Sequence, residues 1–288
     1  MHVIEAIKKR RSIKHFDPTH QLTDKEIYAL LSTTMLSPTA FNIQNWRFVI
    51  IRDPVLRAKI RAHSWNQSQI TDASLLVALC ADLNAWNINP ARYWSHAPEV
   101  VRDLIIPSIE LYYEDHPTII RDEAMRSCGL AAQTLMLTAT SMGFESCPMV
   151  GFDFNEVGRL IDLPEEHIIS MMVAIGKSVQ EPWPQGGKIS YEEAVRENSF
   201  SGITITTEWK EDFVDFRTGV YRHYKGEHYL VLGLAREDIS DETVVVYSRL
   251  YHREGLPLST RTLKAWNQQV AVDGNLVPRF SYVGHMSS

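Results

Sequence analysis

The sequence predicts an α+β protein: a sheet buried between helices over about the first two hundred residues, then a small β-rich region from residue 217. Three observations carry this expectation. Residues 75–80 read Leu-Leu-Val-Ala-Leu-Cys, apolar without alternation, as in a strand covered on both faces. Residues 122–142 are small and apolar along their length and end at Gly143, which suits a central helix with a left-handed cap. Beyond Gly219, Lys225-Gly226 separates two Tyr- and Val-rich runs, as a hairpin turn does.

The remaining elements follow in order. Val3, Ile4, Ala6 and Ile7 make one face of a short helix ending at Lys9. Thr23-Asp24-Lys25-Glu26 is a capping box, and Ile27, Leu30, Leu31 and Thr34 continue it as a helix over 24–35. Residues 46–51 read as a strand, after which Asp53-Pro54 supplies an N-cap and a first-turn proline for a helix through Ile60. Val100, Leu104, Ile109 and Leu111 place a helix within 98–116, with Pro107 as its kink or start. A short helix over 154–161, a strand over 168–175, a helical turn or two over 191–197 and a strand over 243–251 complete the pattern. The organisation expected is a domain over 1–202, a linker over 203–216 and a small domain over 217–288.

Composition narrows the function classes. A chain of 288 residues, 44% hydrophobic, has ample core for a folded protein. Its net charge of −6 offers no global attraction to nucleic acid or an anionic membrane, so basic clusters act locally. Glu5 and Lys8 interrupt the first apolar stretch and no run reaches membrane length, which predicts a cytoplasmic protein. Three cysteines without CxxC spacing suit neither a disulfide framework nor a zinc site. His223, His228, His252 and His285 match no ligand spacing, so no metal is expected. No GxGxxG follows a strand, and Gly186-Gly187-Lys188 lacks the rest of a nucleotide-triphosphate loop.

Five stretches carry the chemistry. Arg10-Arg11-Ser12-Ile13-Lys14-His15-Phe16-Asp17 sets three cations and a hydroxyl directly behind the first helix. Forked guanidinium donors grip phosphate oxygens, a serine hydroxyl adds another donor, and an ammonium reaches a second negative centre. Alone, the same cations also suit a solvated helix end against the C-terminal dipole. Ser37-Pro38-Thr39-Ala40-Phe41-Asn42-Ile43-Gln44-Asn45-Trp46 lies between a helix and a strand, and Asn66-Gln67-Ser68-Gln69 precedes the buried strand. Pro148-Met149-Val150-Gly151-Phe152-Asp153 and Trp183-Pro184-Gln185-Gly186-Gly187-Lys188 follow. In this order and spacing the set resembles the FMN-dependent nitroreductase family, over residues 1 to about 200.

The resemblance implies a nitroreductase-like fold, a mostly antiparallel sheet flanked by helices, in a homodimer with FMN at the interface. It implies that Arg10, Arg11 and Ser12 hold the phosphate from one side and Lys188 from the other, while Asn66 meets the polyol or pyrimidine edge. Lys14 and Gln69 would face the N1 and O2 edge, which becomes negative on two-electron reduction. A fixed ammonium there raises the reduction potential, so Lys14 is the principal electrostatic tuner. In the turn Pro148, Met149, Val150 and Gly151, an N–H of Val150 or Gly151 would point at flavin N5, glycine permitting close approach. Pro38, Thr39, Ala40, Asn42 and Gln44 would cover the flavin from the other subunit.

The activity implied is ping-pong hydride transfer from NADH or NADPH to a small aromatic or quinone-like substrate such as a nitroaromatic, with no covalent nucleophile. Two alternatives stand beside it: other flavin chemistry on the same fold (dehalogenation, enone reduction, flavin cleavage), and an FMN-binding sensor with output through the C-terminal domain. Three positions depart from the family pattern. Asn45 stands where proline usually precedes the tryptophan, Val150 where some members have glutamate, and Gln185 and Gly186 where a basic residue is common. Phosphate binding then leans on Lys188 and the N-terminal pair. Trp86, Trp94, Tyr112 and Tyr113 are either walls of the substrate slot or core.

Residues 217–284 resemble a small bacterial domain of unknown function, through Gly219-Val220-Tyr221-Arg222-His223-Tyr224-Lys225-Gly226 and Val277-Pro278-Arg279-Phe280. Tyr221, Arg222, Tyr224 and Arg279 form either an aromatic and basic ligand face, for a small anion or RNA, or the ordinary packing of a small β domain.

Overall fold

The computed structural model describes residues 1–202, 216–238, 240–252, 254–272 and 274–284. Residues 203–215 of the expected linker, and His285, lie outside them. The chain divides into two compact units, Met1–Gly187 and Lys188–Ser288.

The first unit contains α1 (Val3–Lys9), α2 (Asp24–Thr34), β1 (Trp46–Ile50), α3 (Pro54–Ala62), α4 (Gln69–Asp72), β2 (Leu75–Asp82), α5 (Glu99–Tyr113), α6 (Pro117–Ser141), β3 (Glu145–Met149), α7 (Phe154–Leu160) and β4 (His167–Gly176). Its strands form one antiparallel sheet in the order β1-β2-β4-β3. Every residue of β2 is buried, and the pleat divides them between two cores. Leu75, Val77, Leu79 and Ala81 pack with Ile27 and Leu30 of α2 and with Ala131 and Leu135 of α6. Leu76, Ala78 and Cys80 pack on the other side with Ile60 of α3, Ile70 of α4, Val157 of α7 and Ile13 of the N-terminal segment. Covered faces explain why β2 lacks polar alternation.

Local signals set most boundaries. Thr23 Oγ1 accepts from the Glu26 N–H at 3.2 Å and the Glu26 carboxylate accepts from the Thr23 N–H at 2.7 Å, closing the capping box of α2. The Asp53 carboxylate accepts from the Val55 N–H, with Pro54 at the first position of α3. Gly143 ends α6 at φ +82°. Pro107 lies inside α5 and does not start it. Two boundaries differ clearly from expectation. The central helix begins at Pro117, since proline at N1 starts a helix as readily as it breaks one. The expected turn over 148–153 is preceded by β3, where Pro148 is tolerated because β3 is an edge strand.

The second unit holds α8 (Tyr191–Ala194), β5 (Gly219–His223), β6 (His228–Arg236), β7 (Thr243–Arg249), β8 (Leu258–Thr262), α9 (Leu263–Trp266), β9 (Gln269–Val272), β10 (Asn275–Pro278) and β11 (Phe280–Gly284). Five of its strands form an antiparallel sheet in the order β11-β5-β6-β7-β8, and β9 and β10 form a separate hairpin. The β5–β6 turn is made at Gly226, whose φ of +110° needs glycine. Tyr221, Val231, Val245, Tyr247, Trp266 and Phe280 form its core, with the Trp266 and Phe280 rings stacked at 3.7 Å.

Candidate functional site

The N-terminal segment is laid along the sheet by backbone bonds. The Arg10 N–H caps α1 on the Ala6 carbonyl, so the cations emerge where the helix stops. Ser12 then bridges Ser146 at the free edge of β3, with the Ile13 N–H donating to the Ser146 carbonyl at 3.0 Å. The Asp17 N–H donates to the Lys177 carbonyl at 2.8 Å, past the end of β4. Ile13 packs in the core, which sets its neighbour Lys14 to the other side, and Phe16 returns the chain to the same core.

Lys14 stands over β3, its Nζ donating to Cys147 Sγ at 3.6 Å. Gln69, at the start of α4 and only 4% exposed, reaches the same sulfur through Nε2 at 3.9 Å. Gln69 Nε2 also donates to Gln67 Oε1 at 3.3 Å, and Gln67 Nε2 donates to the Gly151 carbonyl at 3.0 Å. Residues 14, 67, 69, 147 and 151, scattered through the sequence, therefore form one chain of polar contacts. No carboxylate pairs with Lys14 among the described residues, so its charge is available to a ligand.

The turn after β3 completes this centre. Pro148 and Met149 pair with Val173 and Met172, Met149 is buried, and Val150 is 62% exposed. The Phe152 N–H folds back to the Val150 carbonyl at 3.1 Å. The Gly151 N–H has no partner among the described residues. A Cβ on residue 151 would lie 2.6 Å from a ring carbon of Trp65, so glycine is what lets the indole lie against the turn. Trp65 is 83% exposed and, with Asn66, has positive φ (+50° and +52°), an uncommon backbone for such residues. Asn66 is exposed, and its Oδ1 accepts from Arg61 Nε at 2.8 Å.

A cleft of about 610 Å³ opens beside Arg10 and Arg11 and is also lined by Glu145 and Glu181. Arg10 Nη1 is buried with no hydrogen-bond partner among the described residues, and so is Ser146 Oγ. Arg11 donates to the Trp183 carbonyl and so holds the 178–183 segment over the cleft. Lys188 is exposed and opens the second unit, and the cations that line this cleft within the first unit are Lys9, Arg10 and Arg11. An orphaned guanidinium nitrogen, an unpaired ammonium and a free turn amide fit what a flavin nucleotide presents: phosphate, electron-accepting ring edge and N5.

The 38–44 loop is braced elsewhere. Phe41, Asn42 and Gln44 all have positive φ, in a short 3-10 turn over Ala40–Asn42. Thr39 Oγ1 accepts from the Gln44 N–H at 2.9 Å, Asn42 Nδ2 donates to the Tyr93 carbonyl at 3.4 Å, and Trp94 Nε1 donates to the Phe41 carbonyl at 3.0 Å. Arg47 donates to the Gln44 carbonyl at 2.9 Å and pairs with Asp82 at 2.8 Å. Asn45 is buried and its carbonyl accepts from the Asp82 N–H, so the loop is tied down without the usual proline. The loop is thus tied to itself through Thr39 and Gln44, to the 90–94 turn through Asn42, and to Tyr112 and Tyr113 of α5 through Phe41, and no hydrogen bond joins it to Lys14 among the described residues. The Trp86 ring stacks on Tyr113 and Phe41 meets Tyr113 edge-on, and burial holds the Tyr113 hydroxyl well above its ordinary pKa. Tyr112 is raised too, by its hydrogen bond to Glu123.

Residue-by-residue reading passed over Trp65 and the role of Gln67; it set Cys147 beside the 148–153 turn and near a cofactor, without its contacts to Lys14 and Gln69. Gln67 lies within a quoted motif, but nothing local marks it as the link to the Gly151 turn. Trp65 carries no sequence signal. The other two thiols belong to the core, where burial pushes Cys80 and Cys128 up to about 12.

Comparison with known proteins matches this layout. Residues 7–177 match the family model described as Nitroreductase family, and residues 219–282 match one described as Protein of unknown function (DUF1653). Protein DrgA of Synechocystis sp. (strain ATCC 27184 / PCC 6803 / Kazusa) is 51% identical over 181 residues, covering 63% of this chain and 86% of that protein. A Bacillus subtilis (strain 168) protein named "Putative NAD(P)H nitroreductase YdgI" is 30% identical over 186 residues, covering 62% and 89%. A crystal structure titled as a "putative nitroreductase in complex with FMN", from Exiguobacterium sibiricum 255-15, superposes with a TM-score of 0.63 at 24% identity, covering 68% of this chain and 96% of that one.

Proposed function

Because the chain belongs to the nitroreductase family, we propose that its first unit is an FMN-dependent NAD(P)H oxidoreductase reducing nitroaromatics or quinones in ping-pong order. The observation that carries this is the convergence of Lys14 and Gln69 on Cys147, within the same polar chain as the Gly151 turn. When bound, FMN supplies the two-electron carrier between the nicotinamide and the oxidant.

The residues then divide the work. Arg10 and Arg11 hold the phosphate with forked donors, Arg10 through the nitrogen that is otherwise orphaned. Lys14 sets a fixed positive charge, and Gln69 a hydrogen-bond donor, beside the ring edge that gains negative charge, favouring the reduced cofactor. The Gly151 N–H donates at the ring's reacting nitrogen. Trp65 lies against that turn and walls the slot in which nicotinamide and oxidant take turns, offering a flat surface to flat substrates and excluding water. No side chain is asked to be a nucleophile.

The proposal includes a homodimer and a cytoplasmic setting. Val100, Leu104 and Leu111 form an exposed apolar stripe on α5, next to the braced 38–44 loop, and suit a second copy that would bring that loop over the flavin. No helix among the described residues is long and apolar enough to cross a membrane.

The test is a visible spectrum of the purified chain followed by steady-state NAD(P)H oxidation with a nitroaromatic or a quinone. A flavin spectrum with turnover on both donor and oxidant is expected. A colourless protein after reconstitution with FMN refutes the reading, and reduction without turnover favours a sensor.

A further inference from the structure

The second unit carries unpaired cations around an aromatic floor, and the first unit's chemistry does not use them. Side chains of the two outer strands of the five-stranded sheet reach each other across its face: Arg261 of β8 has its guanidinium 5.9 Å from the centroid of Phe280 on β11. Register places Tyr221, Tyr229, Arg249, His223 and Phe280 on the same face, because opposed residues of an antiparallel pair point the same way. Tyr221 and Tyr247 fill the interior, and His223, Tyr229 and Phe280 floor one mouth on that face, with ring centroids 4.8 to 6.2 Å apart.

Cations surround that mouth. Lys225 lies 5.7 Å from the Tyr224 ring centroid in the β5–β6 turn, Arg279 precedes β11, and Arg249 ends β7. None of Lys225, Arg249, Arg261 and Arg279 has a carboxylate partner among the described residues, whereas Arg236, at the other end of β6, pairs with Asp241 at 3.1 Å. The Nε atoms of Arg261 and Arg279 are buried with no hydrogen-bond partner among the described residues. Arg261 lies against Phe280, whose ring is 4.8 Å from that of His223, the Lys225 N–H donates to His223 Nδ1 at 3.4 Å, and the Tyr224 N–H donates to the Arg279 carbonyl at 3.0 Å, so the three cations are gathered around one imidazole; burial and their charges hold the His223 pKa down, with Glu227 opposing. A protein does not ordinarily leave such charge unpaired beside apolar rings.

We propose that this mouth binds a nucleotide, its phosphate held by Arg261, Arg279 and Lys225 and its base stacked on the exposed tyrosines Tyr224 and Tyr251. Convergence on one imidazole suits a single phosphate, and rings at the rim suit a flat base. The assignment does not depend on the flavin reading. It also replaces part of the expected ligand face: Tyr221 is core, and Arg261, Arg249 and His223 take its place.

The experiment is calorimetric titration of the full chain with uridine 5′-monophosphate, uridine, inorganic phosphate and a ten-residue oligouridylate. The monophosphate is expected to bind about tenfold or more tighter than uridine and more tightly than phosphate, as loss of a charged hydrogen bond predicts. Arg261→Gln and Arg279→Gln should each weaken it about tenfold, and Lys225→Gln, on an exposed turn outside the core, should weaken it to a lesser degree. Arg10→Gln, in the first unit, should leave it unchanged. Binding of the oligouridylate alone identifies the source as an RNA chain, and binding of both shows that a free nucleotide suffices. Equal affinity for uridine and its monophosphate, or for the monophosphate and phosphate, overturns the proposal. So does binding unaffected by all three second-unit variants, or the absence of binding by monophosphate and oligouridylate alike.

Discussion

At the scale of single residues, charge without a partner marks the site. Lys14 is tethered to the Cys147 sulfur and has no carboxylate partner among the described residues, so no anion cancels its field there, and an unscreened unit charge beside a ring edge is worth a few kcal/mol at an effective dielectric near 20. Lys14→Ala should therefore lower the flavin midpoint potential by roughly 30–60 mV, taking about 30 mV per 1.4 kcal/mol for a two-electron couple. Spectroelectrochemistry checks this, and an unchanged potential would place the ammonium elsewhere. The buried thiols make an opposite kind of statement. Cys80, with a folded pKa of about 12 against 9.0 unfolded, resists ionisation in the fold. Its contribution to stability should be fully present below pH 9 and fall away as the pH rises from 9 towards 12, where only the unfolded chain gains the thiolate. Urea melts across that range test the sign, and native Cys80 and Cys128 should ignore a thiol reagent at pH 8 that reacts with them once unfolded.

At the scale of elements, short signals set the ends and burial sets the faces. The capping box of α2 is reciprocal, and the helix packs Ile27 and Leu30 on the sheet. Thr23→Ala should cost about 1 kcal/mol and lower Tm by roughly 2–4 °C, with no change in flavin content. A larger loss by calorimetry would mean that Thr23 supports more than a helix end. The strand β3 shows the limit of local reading. Its five residues contain a proline and look like a turn, yet the Ser146 carbonyl receives the N-terminal segment and Cys147 receives Lys14 and Gln69. Edge position makes the proline acceptable, and edge position is not a local property.

At the scale of the whole molecule, two compact units share one chain, and the boundary falls between Gly187 and Lys188. If Lys188 joins Arg10 and Arg11 on the phosphate, as the resemblance implies, a chain ending at residue 202 should keep its flavin. One ending at residue 187 should bind FMN about tenfold more weakly, the loss of one charge-assisted contact. Fluorescence titration of the two truncations with FMN measures this directly. Equal affinity would assign the phosphate to Arg10 and Arg11 alone, and loss of flavin from both would show that the second unit completes the site.

The sequence by itself determined the α+β class, the buried strand, the capping box of α2 and the order of motifs that resembles the nitroreductases, because these reside in short-range spacing and residue type. It also singled out Arg10, Lys14, Gln69 and Gly151. Only the tertiary structure decided that Lys14 and Gln69 meet over Cys147, that Gln67 joins them to the Gly151 turn, that Trp65 lies on that turn, and that Arg261 closes on Phe280. Each is a contact between residues that are distant in sequence or set by neighbours, brought together by a sheet whose pairing no local pattern states.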